Sequence, residues 1–135
     1  MGQEPSMTRT GVSAERIAVE RYFDAMNTHS FEGLVDVFAP EVEIHTIGSA
    51  PAVGRDAAID HFPAVLANYA EHYDGVTRWI EGDGAIVCDI HFVGRLRNGR
   101  PIVFDAIDVF DVRDGLITKV ATWYDTRDLK RQLLG

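Results

Sequence analysis

Four long runs of alternating apolar and polar residues fill the second half of this 135-residue chain. Glycine-containing turns separate the runs, and Asn-Gly and Asp-Gly pairs are the strongest short-range signals of a tight β-hairpin. Because side chains alternate across a strand, each run predicts one buried and one exposed face. The sequence therefore predicts four successive antiparallel strands, over residues 75–81, 85–97, 101–113 and 116–124, with turns at Gly82-Asp83-Gly84, Asn98-Gly99 and Asp114-Gly115.

The first half of the chain differs, because most of its apolar residues recur at helical spacing. Ser13 is a predicted N-cap for the first helix, and Pro63 predicts a kink in the third. Helices followed by a strand meander are typical of an α+β domain with helices on one face of a curved sheet. The predicted helices span residues 13–27, 31–38 and 55–69, and a further strand spans residues 42–47.

Composition limits the classes of function. The net charge is −8 and the Lys and Arg residues form no cluster, so nucleic acid is not an expected partner. The sequence contains no Cys/His cluster at metal spacing, no Gly-rich phosphate loop and no apolar run of membrane-spanning length, so we expect no metal, cofactor or membrane. We expect a flexible tail over residues 1–12, a single domain over residues 13–135, and a cytoplasmic protein.

Asp108 is the chemically unusual residue of the third predicted strand. It shares a strand face with Phe104, Ala106 and Phe110, so its carboxyl group is expected among apolar neighbours. Burial disfavours a charged carboxylate and raises its pKa unless a partner compensates. Asp108 is therefore a candidate functional residue, and a carboxylate that caps a turn or pairs with a buried Arg is the alternative.

Several strings resemble the NTF2-like superfamily, more closely the bacterial ketosteroid isomerases and SnoaL-like cyclases. The resemblance spans about residues 13–129 and depends on the shared order and spacing of the strings. It implies a cone-shaped fold in which three N-terminal helices pack on a curved, mainly antiparallel β-sheet and enclose an apolar pocket. The strings are Arg21-Tyr22 with Ala25 and Asn27, Val37-Phe38-Ala39, Gly48-Ser49-Ala50-Pro51 with Gly54, and Ile107-Asp108-Val109-Phe110.

The resemblance also implies a chemistry, in which a base removes a proton next to a carbonyl and two acids donate hydrogen bonds to the enolate oxygen. Tyr22 matches the phenol donor of the ketosteroid isomerases. Asp108 matches their carboxyl donor, which stays protonated at neutral pH. His45 occupies the position of the family's general-base aspartate, and a neutral imidazole can accept a proton. The alternatives for His45 are a hydrogen bond to a ligand, an acid/base role in a SnoaL-like aldol cyclisation, and a place at the pocket rim without a catalytic role. Glu43 shares its strand face and could orient it.

The hypothesis is thus a protein that binds a small hydrophobic carbonyl compound and catalyses enolisation-type proton transfer. The alternatives are a SnoaL-like polyketide cyclase, a non-catalytic ligand-binding module, and a fold retained for scaffolding. Epoxide hydrolysis on this fold uses an Arg-x-Asp spacing that this chain lacks. A homodimer through the outer sheet face, which carries Val87, Val93 and Val103, is expected. The expected pocket lining is Phe23, Phe38, Phe62, Leu66, Phe104, Phe110 and Trp123.

Overall fold

A computed structural model describes residues 7–9 and 11–135. A short antiparallel pair, β1 (Met7–Arg9) and β2 (Val12–Ser13), precedes the first helix. The tail predicted over residues 1–12 lies partly outside the described residues. In the described part of the chain, no helix is long and apolar enough to cross a membrane.

The first helix, α1 (Ala14–Thr28), begins where the sequence predicts it. The Ser13 side chain accepts a hydrogen bond from the backbone N–H of Arg16 at 3.0 Å, which satisfies one free donor of the first turn. The apolar face of α1 packs on the sheet, because residues at helical spacing share one side. Its buried residues are Ala18, Val19, Tyr22, Phe23, Ala25 and Met26.

The next two helical predictions need correction in length and type. Phe31–Asp36 forms a 3₁₀ helix, and the following strand β3 (Phe38–Thr46) begins before Pro40. After the short strand β4 (Ala52–Val53), helix α2 (Arg55–Val65) ends four residues earlier than predicted. Pro63 lacks an N–H donor, so the helix is weakened near this point.

The strand meander is confirmed and is longer than predicted at its start. Strand β5 begins at Tyr69, six residues before the predicted strand, and includes the last residue of the predicted third helix. The other strands match the predicted bounds to within one residue. The strands are β5 (Tyr69–Gly82), β6 (Ala85–Leu96), β7 (Pro101–Arg113) and β8 (Leu116–Tyr124).

Six strands form one curved sheet in the order β4-β3-β8-β7-β6-β5. Strand β3 lies parallel to β8, and every other pairing is antiparallel. The helices pack on the concave face, so the predicted α+β architecture is confirmed. A C-terminal helix, α3 (Thr126–Leu134), was not predicted. Asp125 is its N-cap, and its side chain accepts a hydrogen bond from the Asp128 N–H at 2.9 Å.

Candidate active site

A row of polar side chains crosses the concave face of the sheet. Asp108 on β7 lies opposite Cys88 on β6 and opposite Thr122 on β8, and Thr122 in turn lies opposite Thr46 on β3. A cavity of about 290 Å³ lies between this face and the helices. Helices α1, α2 and α3 all contribute to its wall, so the cavity depends on the tertiary packing of every helical layer.

Asp108 faces this cavity and is almost fully buried, with 6% of its surface exposed. Its Oδ1 atom has no hydrogen-bond partner among the described residues. Burial raises the pKa of Asp108 to about 7, and hydrogen bonding by the Thr122 side chain opposes that rise. Asp108 therefore holds a proton over part of the neutral range, and its buried Oδ1 leaves one hydrogen-bonding site of the carboxyl group unused by the described residues.

Tyr22 lines the same cavity from helix α1 and is 3% exposed. Edge-to-face contacts with Phe23 and Phe110, each with ring centroids 5.0 Å apart, hold its ring in place. Burial raises the pKa of the Tyr22 phenol well above its ordinary value, and the nearby Asp108 and Asp74 raise it further. The phenol is thus a hydrogen-bond donor at neutral pH, held by aromatic packing beside the carboxyl of Asp108.

A second carboxyl group, that of Asp74 on β5, also lines the cavity and was missed in the sequence. Burial raises its pKa to about 6, so it is mostly ionised at neutral pH and yet basic for a carboxylate. The predicted strand begins at Gly75, and residues 70–74 belong to no predicted helix, strand or turn. The alternation of His72, Asp74 and Val76 with Tyr73 and Gly75 is the signal that would have extended the strand to include Asp74.

The structure does not bring His45 to the cavity. Thr46 lines the cavity and Ile44 is buried, so the intervening His45 points to the opposite face of β3. There its Nε2 contacts the Glu43 carboxylate at 2.8 Å, and both side chains are partly exposed. The predicted pairing of Glu43 with His45 is present, but the pair lies on the outer face, and the expected place of His45 near the cavity is corrected.

The predicted apolar residues separate into three groups. Phe62, Leu66 and Phe104 line the cavity, together with Tyr69, Phe92 and Tyr124, which the sequence prediction did not include. A second group packs behind or beside Tyr22 without lining the cavity, and comprises Phe23, Phe38 and Phe110. Trp123 is 54% exposed and lies opposite Ile107 on the outer face of the sheet, so its predicted role in the lining is corrected.

The cavity lining contains acidic side chains without basic ones to balance them. No Lys or Arg residue lines it in the described part of the chain, and His61 is the single histidine there. Burial lowers the pKa of His61, which favours the neutral ring. Among residues 7–9 and 11–135, no group of three or more His, Cys, Asp or Glu side chains is arranged to hold a metal ion. The site therefore offers the carboxyl groups of Asp74 and Asp108 and the phenol of Tyr22, with the rings of Tyr69 and Tyr124 in the rest of a mainly apolar wall. This set is suited to moving protons on an uncharged ligand.

The family model of the SnoaL-like domain matches residues 19–120, which is most of the chain. The chain belongs to this family. No curated protein matches it significantly. The matched segment contains Tyr22, Asp74 and Asp108.

Solved structures confirm the NTF2-like fold at low sequence identity. An NTF2-like protein of unknown function from Burkholderia pseudomallei has a TM-score of 0.84 and 19% identity, over 92% of this chain and 100% of that one. A putative SnoaL-like polyketide cyclase from Jannaschia has a TM-score of 0.82 and 12% identity, over 98% and 96%. An LEH-like epoxide hydrolase from M. tuberculosis has a TM-score of 0.77 and 17% identity, over 90% of each chain. The fold thus hosts several chemistries, and the side chains of the cavity must decide among them.

Proposed function

We propose that this SnoaL-like protein binds a small hydrophobic carbonyl compound and catalyses enolisation of that compound. The observation that carries the proposal is the convergence of Asp74, Asp108 and Tyr22 on one cavity whose remaining wall is mainly apolar. Two carboxyl groups with different raised pKa values in one site suit an acid and a base that act together. Such raised values cluster at functional sites.

In this proposal Asp74 is the base, in place of His45. Its carboxylate takes a proton from the carbon next to the carbonyl, and the electron pair of that C–H bond moves to form the enolate. Tyr22 and protonated Asp108 donate hydrogen bonds to the enolate oxygen, where the negative charge develops. Asp74 then returns the proton to the same carbon or to a conjugated one, so the reaction is an exchange or an isomerisation that consumes nothing.

The proposed roles require opposite protonation states in the two carboxyl groups. Asp74 must be ionised and Asp108 must be protonated, and the pKa values of about 6 and about 7 allow both near neutral pH. The rate should therefore follow a bell-shaped pH profile with a maximum between these values. Because the two groups interact, the limbs of the profile belong to the pair and not to either residue alone.

The cavity size favours a compact substrate. Ligand sites commonly measure about 300–1,000 Å³, and the 290 Å³ here is at the lower end. A bicyclic ketone is therefore a suitable first probe. The test is exchange of the α-protons of 2-tetralone with D₂O, followed by proton NMR. Acceleration that Asp74→Asn abolishes, and that Asp105→Asn on the outer face does not change, is the expected result. Exchange at the buffer rate with the wild-type protein would reject catalysis and leave a ligand-binding module.

A polyketide cyclase is the second candidate, because the SnoaL-like family match and the Jannaschia structure favour it. The first step is the same enolisation by Asp74. The enolate carbon would then attack a second carbonyl carbon of the same molecule, and the alkoxide formed would take the proton of Asp108. A linear diketone distinguishes the two functions: a cyclase forms the ring, whereas an isomerase only exchanges the α-protons.

We also propose a homodimer through the outer sheet face. Val93 on β6 lies opposite Val103 on β7 and Tyr73 on β5, and all three are substantially exposed. Ile107 and Trp123 extend this apolar strip toward β8. Exposed apolar patches of this kind mark association sites. Sedimentation should show a dimer that Val103→Glu converts to a monomer, and a wild-type monomer at every concentration would reject the proposal.

A further inference from the structure

Strand β5 carries the proposed base and is also the edge strand of the sheet. It pairs with β6 on one side, and it is the last strand in the sheet order. The backbone groups on the other side of an edge strand have no neighbouring strand to bind. The backbone N–H and C=O groups on the free edge of β5 are therefore available to bind a group other than a strand.

Asn27 of helix α1 provides such a group. Its Oδ1 accepts a hydrogen bond from the Asp74 backbone N–H at 2.8 Å, and its Nδ2 donates one to the Asp74 carbonyl oxygen at 3.1 Å. One side-chain amide thus binds both backbone groups of a single residue, as a neighbouring strand would. This two-point contact fixes the backbone from which the Asp74 carboxyl group projects into the cavity.

The same helix carries Tyr22, five residues before Asn27, which is about 7.5 Å along the helix axis. The helix therefore places the phenol donor directly and places the carboxylate of Asp74 through the Asn27 amide. The distance between base and oxyanion donor is then set by one rigid element. The position of a general base matters for its rate, since a misplacement of about 1 Å can reduce the rate about 100-fold.

We infer that Asn27 is a positioning residue for Asp74, which it holds at the cavity through its two hydrogen bonds to the Asp74 backbone. The positioning of Asp74 by Asn27 does not require the proposed function, but an effect of Asn27 on a reaction rate does, because it requires Asp74 to be the base. Asn27 itself acts on the backbone of β5, so its effect on a reaction passes through Asp74.

The chain contains a matched control for this contact. Gln132 of helix α3 makes the same two-point contact on β7, where its Oε1 accepts from the Val103 N–H at 3.0 Å and its Nε2 donates to the Val103 carbonyl oxygen at 2.7 Å. Strand β8 ends opposite Ala106, so this part of β7 is also without a strand neighbour on that side. Both contacts hold a free strand edge, but Val103 carries no carboxyl group.

The experiment compares three variants by carbon NMR titration of the Asp74 carboxyl group in the ligand-free protein. Asn27→Leu keeps the branched shape and the number of side-chain heavy atoms and removes both hydrogen bonds. Strand β5 then moves from α1, water reaches Asp74, and the titration midpoint of Asp74 should fall by about one pH unit. Asn27→Asp keeps the acceptor and adds a negative charge, so the midpoint should rise. Gln132→Met removes the other contact and should leave the Asp74 midpoint at its wild-type value.

The kinetic arm uses the 2-tetralone exchange. In Asn27→Leu, kcat should fall about tenfold while KM stays within about twofold, because the base is displaced and the cavity wall is retained. Unchanged Asp74 titration in Asn27→Leu, or an equal change in Gln132→Met, would overturn the inference. Absence of exchange in the wild-type protein would instead reject the proposed function, and the titration arm would still decide the role of Asn27.

Discussion

The carboxyl groups on the concave face of the sheet are buried, whereas those on its outer face are exposed to solvent. On the concave face, Asp74 and Asp108 line an enclosed cavity, and burial raises the pKa of both. On the outer face, Asp105 contacts the His91 ring at 2.8 Å and is largely exposed to solvent, and Glu43 contacts His45 at the same distance. Asp105 and Asp108 are only three residues apart on β7. The difference teaches that desolvation, more than the residue type or the strand, makes a carboxyl group a candidate acid or base.

The largest expected effect is on the rate of enolisation. Asp74→Asn keeps the shape of the side chain and removes the base, so kcat for 2-tetralone exchange should fall by about 10³-fold. Asp105→Asn on the outer face should leave the rate unchanged. Parallel exchange measurements on the two variants test the comparison directly, and equal losses would mean that the inner face has no special role.

The second effect is on stability as a function of pH. Burial raises the pKa of Asp108 to about 7, so the folded protein holds this proton more tightly than the unfolded chain does. Stability from Asp108 is therefore fully present below about pH 4 and is lost as the pH rises to about 7. The rise in pKa corresponds to a loss of about 4 kcal/mol, as an upper estimate.

Urea unfolding between pH 4 and pH 8 checks this second effect. Asp108→Asn cannot titrate at this position, so its free energy of unfolding should decline less over that range than that of the wild-type protein. Asp105→Asn is the control and should keep the wild-type slope, because the Asp105 side chain is 85% exposed. The expectation fails if Asp108→Asn and the wild-type protein decline equally.

A smaller effect is expected from removing one oxyanion donor. Tyr22→Phe keeps the edge-to-face contacts with Phe23 and Phe110 and deletes only the hydroxyl group. The exchange rate should fall by about 10- to 100-fold, with KM nearly unchanged, because the hydrogen bond strengthens as the enolate forms. A rise in KM at constant kcat would instead assign the hydroxyl to ground-state binding of the substrate.

The smallest effect is expected from the residue that the family resemblance placed at the base position. His45→Ala removes an outer-face pair of a kind worth about 0–1 kcal/mol when exposed. Its exchange rate should stay within about twofold of the wild-type rate, since His45 does not line the cavity. A loss as large as that of Asp74→Asn would restore His45 as the base and break the comparison of the two faces.

Much of this architecture follows from local sequence patterns. The alternation over Pro101–Arg113 placed Asp108 on the apolar face, and the structure has that strand with the predicted bounds. The Ser13 cap and the Asn-Gly and Asp-Gly turns could also be predicted from the sequence, because caps and tight turns depend on a few neighbouring residues. The family strings also led to Tyr22, which does line the cavity.

The sequence by itself therefore determined the order of α1, α2 and the long strands, the α+β class and the inward direction of Asp108. Only the tertiary structure decided which face of β3 points inward. The parallel pairing of Thr46 with Thr122 turns Thr46 to the cavity and His45 away from it. Alternation separates two faces of a strand, but the choice between them depends on the neighbouring strand and on the helices that cover one face. The tertiary structure also decided the place of Asp74 at the cavity. Helix α2 ends early and β5 begins at Tyr69, so Asp74 is part of the sheet, and Asn27 binds its backbone at the free edge of that strand.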